Sequence, residues 1–81
     1  MDIVINVQKS LVEEVAPDKV EVYIAELKNR LALFYPSAEI TVTAEERRNY
    51  IKVNDPVNIT DEQTVSTITD EIFNSGEWRY L

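Results

Sequence analysis

The chain has no cysteine and no histidine, and only one of its 81 residues is glycine. Without cysteine there is no disulfide framework, and nothing indicates secretion. The two absences together remove the commonest general base, the thiolate nucleophile and the usual zinc ligands. The single glycine, Gly76, cannot build a glycine-rich phosphate loop. We therefore expect a protein that is not an enzyme and that uses no cofactor and no metal.

Long apolar runs are missing as well. No stretch approaches the ~20 apolar residues that cross a bilayer. The opening residues, MDIVINVQKS, lack the basic and apolar regions of a signal peptide. With 44% hydrophobic residues, the composition is that of a folded globular chain. We expect one cytoplasmic domain over residues 1–81 that has no membrane partner and is a monomer or a weak dimer.

Positive charge is scarce in the last third of the sequence. The formal net charge is −7, and residues 55–81 contain six acidic side chains against one base, Arg79. Binding to a phosphate backbone requires Lys and Arg, so we expect no direct nucleic-acid binding. A basic protein surface, or a protein site that normally holds DNA, is the better electrostatic match.

Hydrophobic periodicity predicts the order β-α-β-β-α. Residues 2–8 alternate with a period of two, which is typical of a strand, and residues 10–17 are predicted to be a loop. A helix is predicted between Pro17 and Pro36, because apolar residues recur there every three or four positions. Its predicted buried stripe consists of Val20, Tyr23, Ile24, Leu27, Leu31 and Phe34.

Two further strands are predicted around the polar segment EERRN, residues 45–49. Apolar residues alternate on both sides of it, which indicates an antiparallel hairpin. The expected fold is α+β, a three-stranded mixed sheet with two helices packed on one face. The opposite sheet face is expected to expose Asn6, Gln8, Thr41, Thr43 and Lys52.

The last helix is predicted within DEQTVSTITDEIFNSGE, residues 61–77, with Gly76 ending it. Thr60 and Gln63 have the spacing of a capping box. Asp61 and Glu62 lie in the first turn, where the helix dipole favours carboxylates. The predicted buried stripe is Val65, Ile68 and Ile72.

Asp70 and Glu71 have no such structural explanation. Both follow the middle of the helix, towards the end where the dipole disfavours negative charge. Neither has a basic residue three or four positions away. Solvated surface is one interpretation, and partner binding is the other. Phe73 and Trp78 are expected to cover an edge of the small core, although an aromatic residue beside carboxylates is also typical of interface hot spots.

Nearly the whole chain resembles the DinI family of bacterial and phage proteins. The resemblance lies in the order and spacing of three strings: MDIVINVQK at the start, AELKNRLALFYP in the first helix and ITDEIFNSGEW at the end. DinI-like proteins are small modulators of the SOS response to DNA damage that bind the RecA filament. They influence the cleavage of LexA-type repressors and UmuD that the filament promotes, and phage relatives act as antirepressors.

The resemblance also implies a site. The family uses acidic residues of its C-terminal helix, in space that DNA or a partner would otherwise occupy. That role falls here on Asp70 and Glu71, with Glu77 beyond the helix, and Phe73 matches a position where the family often has a large aromatic residue. This chain has Asn74, Ser75 and Gly76 where relatives often place further acids. Asp61 and Glu62 are then expected to contribute from the other end of the helix.

Two alternatives remain open at this point. A DNA-mimic protein or phage antirepressor would bind a repressor or another nucleic-acid-binding protein through the same charges. An enzyme or metal protein would hold a divalent cation between Asp55, Asp61 and Glu62, although the calcium-loop spacing and its turn glycine are absent.

Overall fold

The computed structural model describes residues 1–81. The chain forms β1 (Asp2–Gln8), α1 (Lys9–Val15), α2 (Val20–Phe34), β2 (Glu39–Glu45), β3 (Tyr50–Asn54), α3 (Asp61–Ser75) and a short 3₁₀ helix (Glu77–Tyr80). The predicted α+β class and three-stranded mixed sheet are confirmed. No helix is both long enough and apolar enough to span a membrane.

The sheet has the order β2-β1-β3, so the first strand of the chain is the central one. β1 runs parallel to β2 and antiparallel to β3. The predicted hairpin is therefore wrong, because β2 and β3 lie on opposite edges and residues 46–49 cross the end of β1. Four residues reach about 13 Å, which exceeds the ~10 Å that separates two strands across a third. The Gln8 backbone N–H donates a hydrogen bond to Asn49 Oδ1 at 2.6 Å and ties this crossing to β1.

The side chain of Asn6 holds residues 46–49 in place where they cross the end of β1. Its amide nitrogen donates to the backbone oxygens of Arg47 at 3.2 Å and Arg48 at 3.3 Å. Its Oδ1 accepts hydrogen bonds from the Thr43 hydroxyl at 2.9 Å and the Glu45 backbone N–H at 3.1 Å. Asn6 is only 1% exposed, so its predicted place on an open sheet face is wrong. A polar residue at an outward position was expected to meet water, but here the crossing covers it.

The core lies between the sheet and the helices. β1 buries Ile3, Ile5 and Val7 towards α2 and α3. The predicted stripe of α3 is confirmed, since all three of its residues are buried. In α2 the buried residues are Tyr23, Leu27 and Leu31. Phe34 was expected to join them but is 61% exposed, because the helix ends there and Tyr35 packs against the core instead.

The segment predicted to be a loop after β1 contains the helix α1. Val12 is its only buried residue and anchors the helix to the core. Seven residues are too few for Leu11, Val12 and Val15 to distinguish a helix from a loop by their spacing. α2 begins at Val20, not directly after Pro17, so a short turn separates the two helices.

Candidate functional site

The helix α3 presents the acidic residues of the candidate site. Its C-terminal end is closed by Gly76, which has the left-handed φ of 70° that glycine adopts most easily. The Arg79 side-chain Nε donates to the Gly76 backbone oxygen at 3.2 Å. Arg79, the only base in the last third of the chain, therefore lies at the end of the helix. Its positive charge is placed where the helix dipole favours it.

The N-terminal end of α3 differs from the prediction. The Thr60 side chain makes no capping hydrogen bond, so the expected capping box does not form. Asp61 is only 4% exposed instead, and its Oδ2 accepts the backbone N–H groups of Val57 at 2.8 Å and Asn58 at 2.7 Å. The carboxylate holds the preceding loop against the helix. Asp61 was expected to help bind a partner, but its burial removes it from the exposed surface.

Four carboxylates remain exposed, those of Glu62, Asp70, Glu71 and Glu77, and we call them the α3 carboxylates. None of them forms an ion pair, since the two ion pairs of the chain join Arg30 to Glu26 and Arg47 to Glu45. α3 contains no Lys or Arg of its own. The negative charge is therefore uncompensated at the surface and available to an external cation.

Asp70 and Glu71 lie on different sides of α3. Asp70 borders a cavity together with Phe73 and Tyr23. Glu71 borders a separate shallow groove beside Phe34. Asp70 is exposed and lies beside the open space next to Tyr50, where β3 begins.

The cavity has a volume of about 410 Å³ and lies between α3, α1 and the start of β3. Its apolar lining comes from the core side of the sheet and from aromatic residues, and its polar lining comes mainly from one side of α3. The apolar and aromatic residues are Ile5, Val7, Leu11, Tyr23, Tyr50, Ile51 and Phe73. The polar residues are Asn6, Asn49, Glu62, Ser66, Thr69, Asp70 and Asn74. No basic residue lines it.

Tyr23 lines this cavity from α2. The residue is 1% exposed. Burial, and then the negative charge of Asp70, raise the pKa of the Tyr23 phenol from 10.0 to about 12. The phenol is therefore uncharged at neutral pH, and its hydroxyl can both donate and accept a hydrogen bond.

The aromatic rings of Tyr23, Phe73 and Trp78 pack against one another. Tyr23 meets Phe73 edge to face, with ring centroids 5.7 Å apart, and its centroid lies 4.8 Å from that of Trp78. Trp78 is 1% exposed and donates its indole N–H to the Phe73 backbone oxygen at 3.3 Å. The prediction that Trp78 covers an edge of the core is confirmed. Phe73 is half-buried, because it packs on both rings and also lines the cavity.

The structure groups no three acidic side chains closely enough to hold a metal ion. Asp61, which the metal alternative requires, already binds two backbone N–H groups. Neither a protein-family model nor a curated protein matches this chain. The resemblance to the DinI family therefore stays an expectation that binding experiments must test.

Proposed function

We propose that this protein is a non-enzymatic, DinI-like modulator of a RecA-type filament. It acts in the cytoplasm, as a monomer or weak dimer, during the response to DNA damage. By binding the filament it alters the cleavage of repressors and of UmuD that the filament promotes. The observation that carries the proposal is the set of exposed, unpaired α3 carboxylates on a helix without any basic residue.

The binding mechanism is electrostatic. A protein groove that holds DNA is lined with Lys and Arg, and carboxylates on a helix can take the place of phosphates there. Each exposed charge contact contributes about 1 kcal/mol or less, so one molecule binds one site weakly. A filament repeats the same site along its length, which raises the occupancy of the whole assembly.

The α3 carboxylates contact the partner at different places. Asp70 and Glu71 lie on different sides of α3, so they contact different basic groups of the partner. Glu62 adds charge near the N-terminal end of the helix, and Glu77 adds charge beyond its C-terminal end. Asp61 takes no part, because its carboxylate is occupied within the protein.

The same surface fits a second class of partner, a repressor or another nucleic-acid-binding protein. The specific observation in its favour is that Asn74 and Ser75 are exposed and uncharged, which leaves a gap between Glu71 and Glu77. A partner with fewer, more widely spaced basic contacts matches that gap better than a long groove does.

Binding to a RecA filament assembled on single-stranded DNA tests the proposal. The native protein is compared with the double variant Asp70→Lys/Glu71→Lys. Glu39→Lys/Glu46→Lys is the matched control, because it changes the net charge equally at exposed positions outside α3. Circular dichroism checks that all three proteins fold. We expect binding by the native protein and the control, and loss of binding by the α3 variant.

Two other results would change either the proposed contact surface or the proposed partner. Equal binding by the native protein and the α3 variant would place the contact elsewhere on the surface. Absence of binding by the native protein, together with recovery of a repressor in a pull-down, would favour the second class of partner.

A further inference from the structure

The cavity beside α3 has a feature that core packing does not explain. Tyr23 is 1% exposed and lines the cavity, yet its hydroxyl makes no hydrogen bond within the protein. No polar atom that is completely buried lacks a hydrogen-bond partner in this structure. The Tyr23 hydroxyl is therefore not completely enclosed, and because Tyr23 lines the cavity, a ligand in the cavity is the available hydrogen-bond partner.

The residues around the Tyr23 hydroxyl favour a positively charged ligand. Asp70 lies close enough for its charge to act on the Tyr23 phenol, and no basic residue lines the cavity. Ser66 and Asn74 lie four residues to either side of Asp70, and both also line the cavity. Their side-chain oxygens add hydrogen-bond acceptors on the same side of the helix. The polar part of the cavity thus offers negative charge and oxygen acceptors together.

The remaining lining is apolar and aromatic. Ile5, Val7 and Ile51 form part of it, and the half-buried Phe73 lies three residues after Asp70, on the neighbouring turn of α3. Leu11 and Tyr50 line the cavity and are 40% and 41% exposed, so apolar contact continues to the protein surface. A ligand with a charged head and an apolar stem satisfies both halves of this lining.

We propose that the cavity binds one arginine side chain of a protein partner. The Asp70 carboxylate accepts two N–H groups of the guanidinium, and the Tyr23 hydroxyl oxygen accepts another. The methylene stem lies on the apolar lining, and the flanking residues of the partner cover Leu11 and Tyr50.

Arginine fits better than lysine for three reasons. Its planar guanidinium offers five donors in a fixed arrangement, which suits several acceptors in one small space. It is more weakly hydrated than an ammonium, so entering a partly apolar cavity costs less. It also stacks on aromatic rings, and the half-buried ring of Phe73 provides one here. The identity of the protein that supplies the arginine rests on the proposed function, whereas the cavity itself can be tested without it.

The probe is a short capped peptide, acetyl-Leu-Arg-amide, titrated into the native protein and followed by two-dimensional NMR. The comparison peptide replaces arginine by citrulline, which has nearly the same shape and no charge. We expect saturable shifts confined to residues around the cavity, including the Tyr23 ring. The citrulline peptide should bind about tenfold more weakly or worse, as expected when a charged hydrogen bond is lost. Equal binding of the two peptides would overturn the proposal.

Three variants locate the contact. Asp70→Asn should weaken binding of the arginine peptide about tenfold, and Tyr23→Phe, which keeps the ring, about fivefold. Glu39→Gln removes one charge at an exposed position of β2, on the far edge of the sheet, and should leave the affinity unchanged. If Asp70→Asn and Glu39→Gln behaved alike, the peptide would be responding to net charge and the proposed cavity contact would be wrong.

The arginine site and the binding to a RecA filament can each be disproved without disproving the other. Binding of the arginine peptide without binding to a RecA filament would support the cavity site and remove that partner. Filament binding by a protein that does not bind the peptide would support the electrostatic function and remove the cavity site.

Discussion

Asp70 and Glu71 are neighbours in the sequence, but Asp70 borders the cavity that Tyr23 lines and Glu71 borders the groove beside Phe34. Successive residues of an α-helix are rotated by about 100°, so two adjacent carboxylates readily face different surroundings. The two carboxylates therefore lie on separate parts of the surface and do not form a single acidic ridge.

The two carboxylates should contribute independently to partner binding. Asp70→Lys and Glu71→Lys should each lower the affinity for the RecA filament by about fivefold, the effect of one exposed charge contact. Because they lie on different sides of α3, the two changes in free energy should add in the double variant. Titrations of the two single variants and the double variant, monitored by fluorescence anisotropy, check this. A double variant no weaker than Asp70→Lys would show that Glu71 is only solvated.

Salt should weaken the same complex steeply. Exposed charges interact over about 10 Å at 0.1 M salt and over only about 3 Å at 1 M. The affinity of the native protein should therefore fall several-fold as the salt concentration rises, and that of Asp70→Lys/Glu71→Lys should fall less. The measurement is the same titration repeated at a series of salt concentrations. An affinity independent of salt would contradict an electrostatic contact.

Tyr23 should make the protein less stable at high pH. Its pKa is about 12 in the folded protein and 10.0 for the free side chain, so between these values the unfolded chain loses a proton that the folded protein retains. This contribution is complete below pH 10.0 and is lost as the pH rises to about 12. It amounts to about 2–3 kcal/mol in the free energy of unfolding.

Urea unfolding of the native protein and Tyr23→Phe, measured over this pH range, isolates the contribution. The variant should lose less stability with rising pH than the native protein does. Asp70→Asn should lower the pKa of Tyr23 but leave it above 10.0, because burial is the larger cause of the shift. Absorbance of the tyrosinate form follows the titration. An unchanged pKa in Asp70→Asn would contradict the contact between the two residues.

Asp61 should matter for stability, whereas Thr60 should not. Asp61→Ala removes the buried carboxylate that accepts the backbone N–H groups of Val57 and Asn58, and it should lower the free energy of unfolding by about 2–3 kcal/mol. Thr60→Ala is the matched control, since the Thr60 side chain makes no capping hydrogen bond, and should change stability by no more than about 0.5 kcal/mol. Urea unfolding of both variants checks this. A large effect of Thr60→Ala would restore the capping box that the sequence suggests.

Asn6 should be the most sensitive polar position of the sheet. Asn6→Ala leaves two backbone oxygens and one backbone N–H without their partner, and it should cost about 2–4 kcal/mol. Thr41→Ala, an exposed change on the neighbouring strand β2, should cost less than about 1 kcal/mol. Thermal unfolding of the two variants compares them. Equal losses would mean that residues 46–49 cross β1 without needing the Asn6 amide.

The sequence could predict those parts of the fold in which apolar residues recur with a clear helical or strand period. The stripe Val65, Ile68 and Ile72 repeats often enough to identify both the helix and its buried side, and the alternation in residues 2–8 identifies a strand. The order of the strands has no such local signal. Polar residues 45–49 are compatible with a hairpin turn and with a crossing, and only the hydrogen bonds of Asn6 distinguish them.

The candidate site was predictable in charge but not in shape. Asp70 and Glu71 could be selected because nothing nearby neutralises them. Asp61 has the same chemistry, yet the loop before it determines that its carboxylate turns inward. The cavity and the Tyr23 hydroxyl depend on where β3 begins relative to α3, a distance between elements far apart in the sequence. Tyr23 itself looks like any other core residue of an amphipathic helix.

The central position of β1 has a consequence for the order of events during synthesis. Asp2 pairs with Glu39 on one side and with Asn54 on the other, so no two strands of the sheet can pair as a local hairpin. On the ribosome, β1 waits without a partner until β2 has emerged, and its second edge is covered only after β3 follows. Folding by distant contacts of this kind is slower than hairpin formation. The most apolar strand of the protein is therefore the one that spends the longest time exposed, and the two helices made before β2 are the elements able to shield it.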